Sequence, residues 1–133
     1  MPDKFKIDTN AAVPATGTYS QAIRLGDLVF VSGMTGRNPD TGELEEGLEA
    51  QTRRVLANVD AILSAAGCTN EDIVKVTLLL ANIKDFKAVD AIYAAWLPGV
   101  GITPWPARTA FGGLDLPAGA LVMLEVVAAF RGE

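Results

Sequence analysis

The sequence predicts an α+β fold, in which two helices cover one face of a mixed six-stranded sheet. Two observations indicate this. Six short apolar segments bounded by glycine and proline are typical of strands, and two longer segments repeat apolar residues at three- and four-residue steps, as amphipathic helices do. Their order along the chain is β-β-β-α-β-α-β-β. With 133 residues, half of them hydrophobic and a fifth charged, residues 1–133 are expected to form one domain.

Three strands are predicted before the first helix. They span Lys4 to Asp8, Ser20 to Leu25 and Leu28 to Ser32, and Gly26-Asp27 between the last two is typical of a hairpin turn. The segment from Arg37 to Gly47 is polar and contains both glycine and proline, which predicts a loop.

Both helices carry recognisable ends. The first is predicted from Leu48 to Ala66, with Gly67 as its C-terminal cap. The second is expected to start at Asp85, as its N-cap, and to stop before Pro98. Its apolar residues share one stripe: Phe86, Val89, Ile92, Tyr93 and Trp96.

The remaining strands are predicted over Ile73 to Leu80, Ala107 to Phe111 and Leu121 to Phe130. The first and last of these are apolar on both of their alternating faces. Two helices can cover only one face of such a sheet, and no further element remains for the other. An exposed apolar face of that size predicts a homo-oligomer in which sheets pack on one another.

Composition excludes several classes of function. No apolar run approaches the ~20 residues of a membrane span, and the first ten residues, MPDKFKIDTN, lack the apolar core of a signal peptide. A single cysteine, Cys68, permits no internal disulfide, so a cytoplasmic location is expected. The net charge is −5 with scattered basic residues, which argues against a nucleic-acid partner. No histidine is present, and no metal site is expected.

Two charged residues stand inside apolar strands. Arg108 lies in the segment PWPARTAFGG, and Glu125 is the one polar residue of LVMLEVVAAF. A hairpin centred on residues 117–119 would place them on neighbouring strands, opposite each other. One interpretation is a buried ion pair that holds the strand register. The other is a pocket in which Arg108 binds a carboxylate and Glu125 positions or deprotonates a water.

Three further segments are candidates for a pocket. Tyr19 follows a glycine turn in GTYSQA, and its hydroxyl could bond a ligand, although a strand tyrosine also serves as a packing residue. Ser32 and Gly33 end a strand in VFVSGM, as ligand donors or as a plain turn. Trp105 stands between two prolines and could wall a pocket or pack at a subunit contact.

Taken together, these segments resemble the RidA/YjgF family, the reactive-intermediate (enamine/imine) deaminases, which also carries the label endoribonuclease L-PSP. The resemblance covers nearly the whole chain in family order and spacing. The matching segments are GTYSQA, LVFVSGMTGRNPDTGEL, QTRRVLANVDAILSAAG, DIVKVTLLLANIKDF, PARTAF and LPAGALVMLEVVAAF.

The resemblance implies a chorismate-mutase-like fold and a homotrimer whose sheets line a central β-barrel, with ligand clefts between subunits. It implies hydrolysis of 2-imino acids, formed from enamines such as 2-aminoacrylate, to 2-oxo acids and ammonia. Pyridoxal-phosphate enzymes release these intermediates and are damaged by them, so the implied role is protective. No cofactor or metal is implied, and the implied partner is a small-molecule carboxylate.

On this sequence the resemblance assigns Arg108 to the substrate carboxylate and Glu125 to the attacking water. It matches Tyr19 and Ser32 to pocket hydroxyls, and Gly33 to a backbone position at the site.

Some positions depart from the family pattern. Ala110 stands where many members have cysteine, and its backbone groups are expected to serve the site. Asp90 stands where asparagine is frequent. Asp90 is either a second anion near the pocket or a solvated helix residue, and the preferred imine stays open.

Two other functions compete with imine hydrolysis. A non-catalytic sensor of small carboxylic acids would need Arg108 but gains little from Glu125, so the glutamate favours catalysis. Ribonuclease activity is disfavoured by the acidic balance and by the absence of histidine and of a basic groove.

Overall fold

Six strands and two helices form the fold, in the order that the sequence predicts. The computed structural model describes residues 3–99 and 101–132. The helices are α1 (Leu48–Ala65) and α2 (Phe86–Trp96). The strands are β1 (Lys4–Ile7), β2 (Ala22–Leu25), β3 (Leu28–Thr35), β4 (Ile73–Leu80), β5 (Ala107–Phe111) and β6 (Val122–Ala129).

The strand order in the sheet is β1-β2-β3-β6-β4-β5. The predicted hairpin between β5 and β6 is wrong, because β5 pairs with β4 in parallel and β6 lies between β3 and β4. The helix α2 connects β4 to β5, and a helical crossover of this kind produces parallel neighbours. The chain then passes the end of β4, where Leu114 donates to the Leu80 carbonyl at 3.3 Å, before it enters β6.

Strand β3 runs three residues beyond its predicted end at Ser32. Its register against β6 shifts between Val31 and Met34, which oppose Val126 and Leu124. Ser32 and Gly33 therefore form a bulge opposite the single residue Glu125. The bulge allows the strand to continue instead of ending in a turn.

The C-terminus of α1 is as predicted, and the N-terminus of α2 is not. Gly67 follows α1 with a φ of 78°, and the next amide, of Cys68, donates to the Leu63 carbonyl at 2.8 Å. Asp85 makes no side-chain capping bond. The chain enters α2 through a short 3₁₀ turn, and there Asn82 accepts the Lys84 amide at 2.9 Å.

The sheet has one covered face and one open face. Along β6, Val122, Leu124, Val126 and Ala128 are buried beneath the helices, and the alternate residues point to the other side. On that open face Phe30 is 41% exposed, so an apolar surface remains uncovered in the single chain, as predicted. Among the described residues, no helix is long and apolar enough to cross a membrane.

Candidate active site

Arg108 lies on β5, at one edge of the sheet. It pairs in register with Val76, which is buried, so both side chains point to the helix-covered face. The expectation of a buried strand is wrong, because β5 has a neighbour on one side only and most of its residues are exposed. The Arg108 side chain itself is 28% exposed.

The charge of Arg108 is matched by Asp90, and not by Glu125. Nη1 of Arg108 donates to Oδ1 of Asp90 at 2.6 Å. The guanidinium carbon lies 5.0 Å from the ring centre of Phe86 and 5.3 Å from that of Tyr93. Residues 86, 90 and 93 share one side of α2 because they are four and three positions apart. The interpretation of Asp90 as a solvated helix residue is therefore wrong.

A pocket of about 230 Å³ opens beside this ion pair, and we call it the Arg108 pocket. Its lining comprises Asp90, Tyr93, Ala94, Leu97, Trp105, Pro106 and Arg108. Trp105 is 62% exposed and forms one wall. The Tyr93 hydroxyl is buried without a hydrogen-bond partner in the described part of the chain. Burial raises the pKa of Tyr93 above its ordinary value, partly offset by the nearby Arg108 charge, so the hydroxyl stays protonated and can donate.

Ala110 lies two residues further along β5 on the same face as Arg108. Its register partner on β4 is the buried Leu78. The side chain borders a neighbouring open groove together with Phe86 and two lysines, Lys84 and Lys87. It does not line the Arg108 pocket.

A second pocket, of about 280 Å³, contains two of the predicted site residues, Tyr19 and Gly33, and we call it the Tyr19 pocket. Its lining comprises Val13, Pro14, Thr16, Tyr19, Gly33, Met34, Thr35, Arg37, Pro117 and Met123. The Tyr19 side chain is half exposed, and its hydroxyl accepts the Thr16 amide at 3.5 Å. At Gly33 a Cβ atom would lie 3.0 Å from the sulfur of Met123, so glycine keeps this wall close to β6.

Ser32 lines neither pocket. Its hydroxyl donates to the Ser20 carbonyl at 2.6 Å, and its amide donates to the Gln21 carbonyl at 2.9 Å. In the single chain the hydroxyl therefore ties the β3 bulge to the segment before β2. This bond holds in place the neighbouring Gly33 wall of the Tyr19 pocket.

Glu125 also lies apart from Arg108. It pairs with Thr77 on β4 and points to the open face, whereas Arg108 points to the helix-covered face. The predicted Arg108–Glu125 pairing is therefore wrong, since β4 separates their strands and the two side chains take opposite sides. Within the six strands that the structure describes, Glu125 is the sole carboxylate. It is exposed and belongs to no ion pair formed by residues 3–99 and 101–132.

Sequence reasoning missed four residues of these pockets. Phe86 and Tyr93 were assigned to the apolar stripe of α2, although their four- and three-residue spacing from Asp90 indicates one shared side. Arg37 sits in a turn-rich loop, where no periodicity distinguishes it. Met123 has the same strand parity as Glu125, which could have marked it as an open-face residue. The described residues contain no group of three or more metal-ligating side chains.

Comparison with known proteins gives consistent matches across the whole chain. The family model described as Endoribonuclease L-PSP matches residues 9–130. A RutC family protein of Aquifex aeolicus is 42% identical over 92% of this chain and 97% of its own length. The 2-iminobutanoate/2-iminopropanoate deaminase of Rattus norvegicus is 38% identical over 92% of this chain and 87% of its own length.

The fold also matches solved structures. The crystal structure of YyfA from Yersinia pestis, a protein of unknown function of the conserved Rid family, superposes with a TM-score of 0.89. It is 44% identical in sequence, and the match covers 96% of this chain and 99% of that one.

Proposed function

The chain belongs to the endoribonuclease L-PSP (RidA/YjgF) family, and from this membership and its two pockets we propose that it is a hydrolytic deaminase of small 2-imino acids. The substrates are imines formed from enamines such as 2-aminoacrylate, and the products are a 2-oxo acid and ammonia. The observation that carries the proposal is Arg108, a guanidinium held between two aromatic rings beside a pocket of small-molecule size. We also propose a cytoplasmic location, in keeping with the single cysteine.

We propose that a complete site forms only between subunits of a homotrimer. The Arg108 pocket lies on the helix-covered side at the β5 edge, whereas Met123 of the Tyr19 pocket and Glu125 point to the open face. One chain therefore holds two separate half-sites. The exposed apolar residues of the open face, Leu28 and Phe30 among them, support an assembly in which the sheets pack around a central barrel.

In the proposed reaction, Arg108 binds the substrate carboxylate through guanidinium N–H groups that Asp90 leaves available. Glu125 of the adjacent subunit holds a water and accepts its proton as the water oxygen attacks the imine carbon. The tetrahedral adduct receives a proton on nitrogen, the C–N bond breaks, and ammonia leaves. The Tyr19 hydroxyl and the Gly33 amide serve as polar contacts for the reacting group, and Trp105 and Ala110 shape the cleft.

A second function is favoured by one observation. Glu125 lines neither pocket of the single chain, so a family member that binds small carboxylates without hydrolysing an imine would use the same Arg108 pocket. In that case the protein is a sensor, and the acid on the open face has no chemical role.

The two functions are separated by the Glu125→Gln variant. 2-Iminopropanoate is generated in situ from alanine by an amino-acid oxidase, and its decay is followed in competition with semicarbazide. The wild type is expected to accelerate the decay, and Glu125→Gln to lose roughly 10²-fold of kcat/KM, the size typical of a general base, while pyruvate still binds.

The matched control is Glu49→Gln, which removes a surface carboxylate that pairs only with Arg53. An unaccelerated decay in the presence of wild type, together with pyruvate binding, would favour the sensor. Full activity in Glu125→Gln would refute its role in handling water.

A further inference from the structure

Arg37 is distinguished from the other arginines by what it lacks. Among the residues that the structure describes, its side chain forms no ion pair or hydrogen bond, and its Nε is buried without a partner. The remaining arginines are all occupied, either by acids or by aromatic rings. These contacts are Arg53–Glu49, Arg54–Glu45, Arg108–Asp90, Arg131–Asp72 and Arg24 over Phe5 and Phe130.

The backbone of Arg37 is firmly held. Arg37 forms an isolated β-bridge with Leu44, and its carbonyl accepts the side-chain amide of Asn58 at 2.9 Å. Asn58 is fully buried in α1 and also donates to the Thr35 carbonyl. The Arg37 side chain therefore starts from a fixed point on the pocket wall, and its placement is set by the core.

The surroundings of Arg37 suit an anion. It lines the Tyr19 pocket beside Thr16, Thr35 and Tyr19, whose side chains all carry hydroxyl groups, and no acid is among the lining residues. A buried guanidinium N–H without an acceptor costs free energy, and a carboxylate would satisfy it with two parallel charge-assisted bonds. In a chain with net charge −5, an arginine left without any acid is unusual.

We infer that the Tyr19 pocket is a carboxylate-binding site built on Arg37. The inference extends to the substrate and at that point rests on the proposed function. If Arg108 of one subunit binds the 2-carboxylate and Arg37 of its neighbour borders the same cleft, the preferred substrate is a 2-imino acid with a second carboxylate on its side chain. Such an imine arises by oxidation of an acidic amino acid.

The test compares 2-iminoglutarate with 2-iminopropanoate, made from glutamate and alanine by amino-acid oxidases. The wild type is expected to prefer 2-iminoglutarate in kcat/KM, and Arg37→Leu to lower the ratio of the two values by about tenfold or more, as for a lost charged hydrogen bond. Arg37→Lys, which keeps the charge and loses the planar fork, is expected to recover part of the ratio. Arg53→Leu, at an exposed ion pair on α1, is the matched control.

Binding of the products is measured in parallel by calorimetry. Arg37→Leu is expected to weaken 2-oxoglutarate binding relative to pyruvate binding by a similar factor. If the wild type hydrolyses neither imine but binds 2-oxoglutarate in an Arg37-dependent way, the proposed reaction fails and the carboxylate site stands. If imines are hydrolysed and Arg37→Leu keeps the wild-type selectivity and 2-oxoglutarate affinity, the site is refuted and the reaction stands.

Discussion

Arg108→Ala is expected to lower kcat/KM for 2-iminopropanoate by roughly 10²–10³-fold, because a positioned cation aligns the substrate and stabilises charge in the transition state. The substitution also leaves Asp90, now without its guanidinium, facing the incoming carboxylate. Like charges at this distance oppose binding, so pyruvate affinity is expected to fall as well. The measurement is the decay of the imine together with calorimetric titration of pyruvate.

The accompanying variant is Arg108→Lys, which retains the positive charge but cannot form two parallel bonds with a carboxylate. It is expected to lie between alanine and the wild type. Arg53→Ala serves as a control for the general loss of an arginine from the surface. An Arg108→Ala protein that hydrolyses the imine at the wild-type rate would remove Arg108 from the mechanism.

Asp90→Asn is expected to tighten pyruvate binding by about 3- to 30-fold, because a carboxylate 2.6 Å from Nη1 of Arg108 competes with the ligand for the same cation. Asparagine keeps the shape and the hydrogen-bond acceptor without the negative charge. The estimate is kept modest because the Asp90 side chain is 39% exposed and the solvent screens its charge. Calorimetry at two salt concentrations checks both the gain and its electrostatic origin.

Asp60→Asn is the control for this variant, since Asp60 also accepts a side-chain bond, from Trp96 at 2.8 Å, and lies outside the Arg108 pocket. It is expected to leave pyruvate affinity unchanged. Unchanged or weaker binding in Asp90→Asn would show that Asp90 positions Arg108 for the ligand and does not compete with it.

The strands and helices could be predicted because their signals are local. Alternating and three-to-four-residue spacings, together with glycine and proline, gave all eight elements in order. The pairing of β5 could not be predicted in this way. A hairpin from β5 to β6 and a crossover from β4 to β5 are both compatible with the same local pattern, and β6 must insert between β3 and β4 before the choice is visible.

The site was predictable to a lesser extent for the same reason. Arg108 is conspicuous as a cation in an apolar segment, and it does line a pocket. Its partner could not be identified, because whether Asp90 or Glu125 meets it depends on which face of the sheet β5 presents to α2. Arg37 was missed because a charged residue in a polar loop carries no local signal, and only the tertiary structure brings it beside Tyr19 and Gly33.

The central claim, that two chains each supply half of one site, is tested most directly by mixing two inactive variants. Arg108→Ala and Glu125→Gln subunits are unfolded and refolded together in equal amounts, and imine hydrolysis is measured. Random assembly into closed rings leaves about a quarter of the clefts with an intact Arg108 and an intact Glu125, so about a quarter of the wild-type activity is predicted to return. A mixture that remains as inactive as either variant alone would contradict the account.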